Sequence, residues 1–371
     1  MSTPKPIKKN NNQPQQSSPG DTQSRNFGKS TMLNPVLDTK DKPYGLVPLP
    51  NQGVDRKRPV GQDQFKKNLI SGKLHLTLTV QTSTFVASGI MAMGRDMGLK
   101  VDLIKAAVQQ GNTLIIPGSS LKGVVRSSYE ALTHSCLCKT KARKESSPKG
   151  YSECKVKKDQ LDVCPACRVF GAMGWQGLIS FSDAVGQAIS MDVEFMPNLY
   201  GPKSNNPMYD NGGKVAGRKF YYHAIEAVTS KKMPDGKDNK GVNAQKAKQG
   251  YVFKTTVQFK NLSEAELGTL FVILGQDKDH PMALKVGGGK PIGMGSLVVT
   301  VEALDKNTDP KERYTEYVLP ESDQLIDKAL IDYMKSTIAK AHKNLINSYQ
   351  LEELTRILVW PTKYTAPEGM Y

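Results

Sequence analysis

Five cysteines, Cys136, Cys138, Cys154, Cys164 and Cys167, fall in one short stretch of a 371-residue chain and nowhere else. Such clustering argues for metal ligation over a disulfide framework, because an odd set cannot pair off and the thiolate is the form that binds zinc. Cys164-Pro165-Ala166-Cys167 has the C-x-x-C knuckle spacing of a tetrahedral zinc site, and Cys154 supplies a third thiolate. The fourth position stays open among Cys136, Cys138 and His134. A redox C-x-x-C is the rival reading, and it lacks the thioredoxin-like surroundings that chemistry uses. The stretch 139–158 is dense in Lys and Arg, which suits phosphate contacts and equally a solvated charged loop.

Two further segments suit anions. In Ile116-Pro117-Gly118-Ser119-Ser120-Leu121-Lys122-Gly123-Val124-Val125-Arg126, Ser119 and Ser120 stand at a helix start as N-cap candidates, where amides and hydroxyls bind anions, with Lys122 and Arg126 one turn apart. The plainer alternative is capping serines beside a solvated basic face. Gly287, Gly288 and Gly289 with Lys290 open a glycine-rich run to Gly295, where backbone can approach a phosphate or sugar with no Cβ in the way. Pro291 after the Gly-Lys pair excludes a P-loop, and a plain turn is the rival. In Gly217-Arg218-Lys219-Phe220-Tyr221-Tyr222-His223, the cations Arg218 and Lys219 adjoin Tyr221, a ring that can stack on an unpaired base; a strand with one aromatic face buried has the same pattern.

No Ser-His-Asp or paired-carboxylate arrangement stands out. Asp96 and Asp102 are the carboxylates able to position a metal ion or a 2′-hydroxyl at an RNA backbone, or simply to be solvated or capping residues. The histidines, at 75, 134, 223, 280 and 342, are scattered, although a fold can gather distant positions.

The whole chain carries a formal charge of +16, a surplus that faces a polyanion such as nucleic acid or an anionic membrane surface. No apolar run is long enough to cross a bilayer, and the N-terminus has positive charge with no apolar h-region behind it. Together with the cysteine usage, this predicts a cytoplasmic protein with no membrane partner. The chain is 38% hydrophobic, and its mean hydropathy of −0.45 predicts a packed core with much loop or tail around it.

Period-two alternation predicts strands at Leu74–Val80, 177–184, Tyr251–Phe259 and Ser296–Val301. Helices are predicted from Ser119/Ser120 to about His134, and from a capping box at Ser263/Glu266 to near Gly275. The order strand, helix, strand, strand, helix, strand predicts an α+β fold with a ferredoxin-like, RRM-like βαββαβ core. Residues 1–65 read as an N-terminal extension, disordered or docked on a partner, with Pro43–Pro50 extended and apolar. The core domain spans 66–302, including a zinc-binding insertion at 134–170 and a long insertion at 187–250. Residues 303–371 form a helical extension.

IPGSSLKGVVRS at 116–127, CPACRVFG at 164–171, ISFSDA at 179–184 and VGGGKPIGMGS at 286–296, in that order, resemble the motif series of RAMP-superfamily backbone subunits of type III CRISPR effector complexes. The resemblance covers roughly 70–302. It implies an RRM-like palm that holds CRISPR RNA and its target RNA beside other effector subunits, with the insertion 187–250 as a thumb. In such subunits the target-cleaving residue is an aspartate about fifteen residues before the motif's proline, where Asp102 stands, with Asp96 second. Cleavage there would use Mg or Mn and attack by a 2′-hydroxyl, while the zinc would be structural. Thr82-Ser83-Thr84-Phe85-Val86 replaces the glycine-rich ending usual after the first strand, a departure that bears on whether this subunit cuts. Two other activities compete: a CRISPR transcript-processing endoribonuclease using histidine acid–base chemistry, and a non-catalytic zinc-stabilised scaffold.

Overall fold

A computed structural model describes residues 42–137, 147–189, 192–198, 210–211, 214–232, 236–306, 315 and 323–367. Cys138 and most of the expected N-terminal extension lie outside these residues, as does part of the basic stretch before Cys154.

The strands are β1 (Tyr44–Pro48), β2 (Ile70–Val80), β3 (Ala87–Met93), β4 (Leu103–Ala107) and β5 (Thr113–Ile116). The helices α1 (Gly118–Leu132) and α2 (Pro165–Phe170) follow. Then come β6 (Ile179–Phe181), β7 (Ala184–Ile189), β8 (Val193–Pro197), β9 (Gly217–Tyr221), β10 (Gly241–Gln245) and β11 (Val252–Leu262). Helix α3 (Glu264–Ile273), β12 (Leu284–Lys285), β13 (Ser296–Lys306), α4 (Asp327–Asn344) and α5 (Ser348–Leu358) complete the chain order used below.

The main sheet runs β12-β13-β2-β11-β7-β5, every neighbouring pair antiparallel, with β6 also paired to β11. Taking β2, β6/β7, β11 and β13 as first to fourth, the order in space is fourth, first, third, second. Helix α1 links the first pair and α3 the last. Strand alternation produces this: Leu74, Leu76, Leu78 and Val80 are buried while Thr77 and Thr79 lie half-buried on the other face. Against the buried face pack Leu121, Val125 and Tyr129 of α1 with Leu267 and Phe271 of α3. Truncating a side chain such as fully buried Phe271 to Ala would cost about 3–5 kcal/mol.

Both helix starts are built differently from one another. Ser263 accepts from Glu266 N while the Glu266 carboxylate accepts from Ser263 N, so the predicted capping box is present. At α1 the expected serine cap is absent. Pro117 is the N-cap, and the Asp183 carboxylate accepts from Gly118 N at 2.7 Å across the sheet, leaving Ser119 and Ser120 in the first turn. The predicted strand 177–184 divides into β6 and β7, and within the extension 303–371 the described helices are α4 and α5.

A second sheet, β8-β10-β4-β3, stands beside the first. Among the described residues, the insertion 187–250, expected to be a thumb, contributes β8 and β10 to this sheet. Strands β3 and β4 come from the segment before α1, which as sequence is only a glycine-dotted stretch. Ile90, Met91, Met93 and Leu103 are all exposed there, so no buried-face alternation marks the hairpin. Strand β9, inside the same insertion, stands outside this sheet and pairs with β1, burying Tyr44 and Val47.

Candidate nucleic-acid interface and metal centre

Three segments distant in sequence meet at a groove of about 500 Å³. Its floor is the outer stripe of α1, where Ser119, Gly123 and Ser127 recur one turn apart and are exposed, with Ser120 beside them. Lys219 and Tyr221 of β9 form one wall, and Gly287, Gly288 and Lys290 the other. Lys219 Nζ sits 3.8 Å from the Tyr44 ring centroid and 4.5 Å from that of Tyr221, an aromatic clamp that holds the cation in place. Burial, with Lys42 nearby, lowers the Lys219 ammonium to about 8. Lys290 is also lowered by burial. Cations that are partly stripped of water and face small hydroxyl residues favour a phosphate arriving with its own charge.

The glycine loop is held from below by the segment after β2, by Lys285 and by His223, to none of which the sequence assigned that role. Gly287 and Gly289 adopt φ of 81° and 70°, and the amides of Gly288 and Gly295 donate to Phe85 O and Ser83 O. Thr82 Oγ1 donates to Gly293 O at 2.8 Å and Lys285 Nζ donates to the same carbonyl at 3.0 Å. His223 shares hydrogen bonds with Ser296 Oγ and Ala283 O. Burial pushes the Lys285 ammonium and the His223 imidazolium well below their ordinary values. Several loop amides, those of Ile292, Gly293 and Met294 included, close on the loop itself. The loop therefore offers close backbone approach more than a full cradle of free amides.

Lys122, Arg126 and Arg218, also expected to meet RNA, are held elsewhere. Lys122 Nζ donates to Ile179 O at 2.9 Å. Arg126 donates to Glu130 at 2.8 Å, to Gly171 O at 3.0 Å and to Cys167 Sγ at 3.4 Å. Arg218 is buried and donates through Nη2 to Ser135 O and Cys136 O. The residue types were right for anions, but both arginines sit around the cysteines instead of the groove.

Cys136, Cys154, Cys164 and Cys167 form a buried quartet of free thiols. Cys136 Sγ lies 3.6 Å from Cys164 Sγ and 3.7 Å from Cys167 Sγ. Zinc–sulfur bonds of about 2.3 Å at tetrahedral angles give S···S edges of about 3.8 Å, so these separations fit the ion with little adjustment. Four thiolates around Zn²⁺ carry net negative charge, and Arg126 at Cys167 with Arg218 at the Cys136 carbonyl supplies the compensating cations. Thiol hydrogen bonds from Cys136, Cys164 and Cys167 hold Cys154 well below the ordinary thiol range. Of the candidates for the fourth ligand the structure brings in Cys136; His134 instead approaches Asn347.

Asp96 and Asp102 share the tip of the β3–β4 hairpin. Both are exposed; Asp102 O accepts from Gly94 N, and Asp96 pairs loosely with Arg95 at 3.7 Å. Ala87, at the hairpin's other end, borders the groove; its partner Ala107 and the partner of Met93, Leu103, stand four residues apart on β4, the extra residues of β3 being taken up in a bulge. At a strand rise of about 3.3 Å per residue, the hairpin places its tip roughly 13 Å from Ala87. A second opening of about 490 Å³, missed in the sequence, lies over the main sheet between Lys73, Lys122, Lys260 and Lys306.

A family model for the RAMP superfamily matches residues 77–298. The chain belongs to the RAMP superfamily. The matched span runs from β2 to the start of β13 and so contains the cysteine quartet, the second sheet and all three groove segments. Among solved structures, this RAMP-superfamily chain is similar to one described as "Cryo-EM structure of the Type III-B Cmr-beta bound to cognate target RNA", at 16% identity and a TM-score of 0.33. The match covers 65% of this chain and 62%, under two thirds, of that one. No curated protein matches. No helix among the described residues is long and apolar enough to cross a membrane.

Proposed function

We propose that this RAMP-superfamily chain is an RNA-holding backbone subunit of a type III CRISPR effector complex, contacting CRISPR RNA and, in the assembled particle, target RNA and neighbouring subunits. The observation that carries this reading is the groove itself. Ser119 and Ser120, Lys219 and Tyr221, and Gly287, Gly288 and Lys290 come from three separate motifs and line one opening in a chain of strongly positive charge, with Gly289 buried behind them. The strand order fourth-first-third-second with two helices on one face supports reading this core as a ferredoxin-like, RRM-like palm. In this reading the cysteine quartet holds a structural zinc that orders the insertion after α1. Such a particle would work in the cytoplasm.

The test is binding of guide RNA to the full chain across a salt series. Lys290→Ala should weaken binding and reduce the salt slope by about 1, as loss of one phosphate contact requires. Unchanged affinity and slope would remove the groove from RNA binding and leave a zinc-stabilised scaffold. Cleavage of target RNA is a further part of the proposal, placed at Asp102 with Asp96 beside it. Exposed carboxylates at a hairpin tip can meet Mg²⁺ or Mn²⁺ and a splayed target nucleotide, the divalent ion supplying charge stabilisation at the scissile phosphate. Asp102→Ala in the assembled complex should abolish Mg²⁺-dependent cuts with guide binding intact; an unchanged ladder would sink that assignment.

A further inference from the structure

Histidines far apart in sequence meet on one carboxylate, away from the groove and the cysteines. His280 Nδ1 lies 2.9 Å and His342 Nε2 2.8 Å from the same oxygen, Oδ2, of Asp277. The other oxygen accepts from Asp279 N at 3.1 Å, which fixes the carboxylate's rotation. Asp277 and His280 belong to the turn after α3, while His342 is in the last turns of α4. These two helices approach closely because Gly268 has no side chain: a Cβ there would lie 2.0 Å from Thr337 O. The Asp277 side chain is 6% exposed, against 27% for His280 and 33% for His342. The carboxylate is thus anchored on the inner side and the two rings border solvent.

The three donor atoms lie within 4.8 Å of one another. A tetrahedral ion with nitrogen and oxygen bonds of about 2.0–2.1 Å requires ligand edges of about 3.3 Å, so the two carboxylate–imidazole edges open by about half an ångström to admit one, and the edge between the two nitrogens already lies within 4.8 Å. We propose that Asp277, His280 and His342 form a second metal site, which binds a zinc-class divalent ion through two imidazole nitrogens and one carboxylate oxygen and leaves a further position to solvent. Imidazole ligands favour zinc, cobalt or nickel over magnesium or calcium, which take oxygen donors. On binding, each histidine turns a lone pair to the ion, with its proton carried on the other ring nitrogen. The ion would bolt α4 to the turn after α3, tying the C-terminal helices to the palm.

The experiment uses the full chain, purified, zinc-saturated and desalted, with zinc counted by elemental analysis. Wild type should hold about two ions per chain, and His280→Gln and His342→Gln about one each, the remainder staying on the cysteines. Cobalt substitution asks the same question with an internal control for folding. The thiolate-to-cobalt charge-transfer band should persist in the histidine variants, while a weaker visible band from the nitrogen and oxygen site disappears. Equal zinc content in wild type and both variants, with the thiolate band intact, would overturn the proposal and leave Asp277 as a hydrogen-bonded latch. Neither readout depends on RNA binding.

Discussion

Neighbouring glycines in the loop separate the groove's architecture from its use. Gly287 has φ of 81°, and a Cβ placed on it would lie 2.2 Å from Phe85 O. Contacts below 3.0 Å force something to move, and what must move here is backbone. The left-handed conformation alone costs a non-glycine residue about 1–2 kcal/mol, and overpacking adds about 1–3 kcal/mol. Gly287→Ala should therefore destabilise the chain by about 2–5 kcal/mol. A Cβ on Gly288, by contrast, meets Phe85 Cδ1 at 3.4 Å, an ordinary contact, at a position that lines the groove. Gly288→Ala should change stability by no more than about 0.5 kcal/mol, as surface substitutions do. If RNA approaches the loop backbone closely, it should nonetheless weaken guide binding several-fold. The assay is a pair of denaturant melts with guide-RNA titrations of the same two variants at fixed salt. Gly288→Ala with wild-type affinity would refute close approach, and Gly287→Ala with wild-type stability would refute the strain argument.

Cys164→Ser should release the quartet's zinc and destabilise the chain by about 3 kcal/mol or more, because structural zinc contributes folding free energy directly; a melt unmoved by this change or by chelator would contradict a structural ion. Since Lys219 loses its proton near pH 8 in the free chain, guide affinity should fall as pH rises from 7 to 9, and Lys219→Arg should flatten that dependence. Burial outweighs the Arg126 hydrogen bond and raises the Glu130 carboxyl from 4.5 to about 7. A raised carboxyl favours folding below its unfolded value and loses that contribution as pH climbs through about 7. The stability difference between wild type and Glu130→Gln should accordingly shift by about 2 kcal/mol against wild type from pH 5.5 to 8, measured by denaturant melts on zinc-loaded protein. A difference independent of pH would show that Glu130 stays ionised.

By itself the sequence determined what short-range physics controls. Alternation in Leu74–Val80 and Tyr251–Phe259 marks core strands because side chains on a strand face opposite sides, and Ser263 with Glu266 marks a helix start because both capping partners lie within one turn. Clustered cysteines likewise announced metal chemistry, and Cys154, Cys164 and Cys167 were legible as a set. Tertiary structure decided everything that depends on which distant segments meet. It chose Cys136 over His134, since the Cys136 sulfur lies 3.6 Å from that of Cys164 and 3.7 Å from that of Cys167 while the His134 ring turns to Asn347. It drew Arg126 and Arg218 to the cysteines, where buried charge needs a partner, and left Lys219 beside Tyr44 in the groove. It built half of the second sheet from a hairpin whose exposed apolar residues break the pattern that betrays a strand. The union of Asp277, His280 and His342 was not readable at all, since the contact spans the packing of α3 on α4 and exists only once Gly268 lets those helices close.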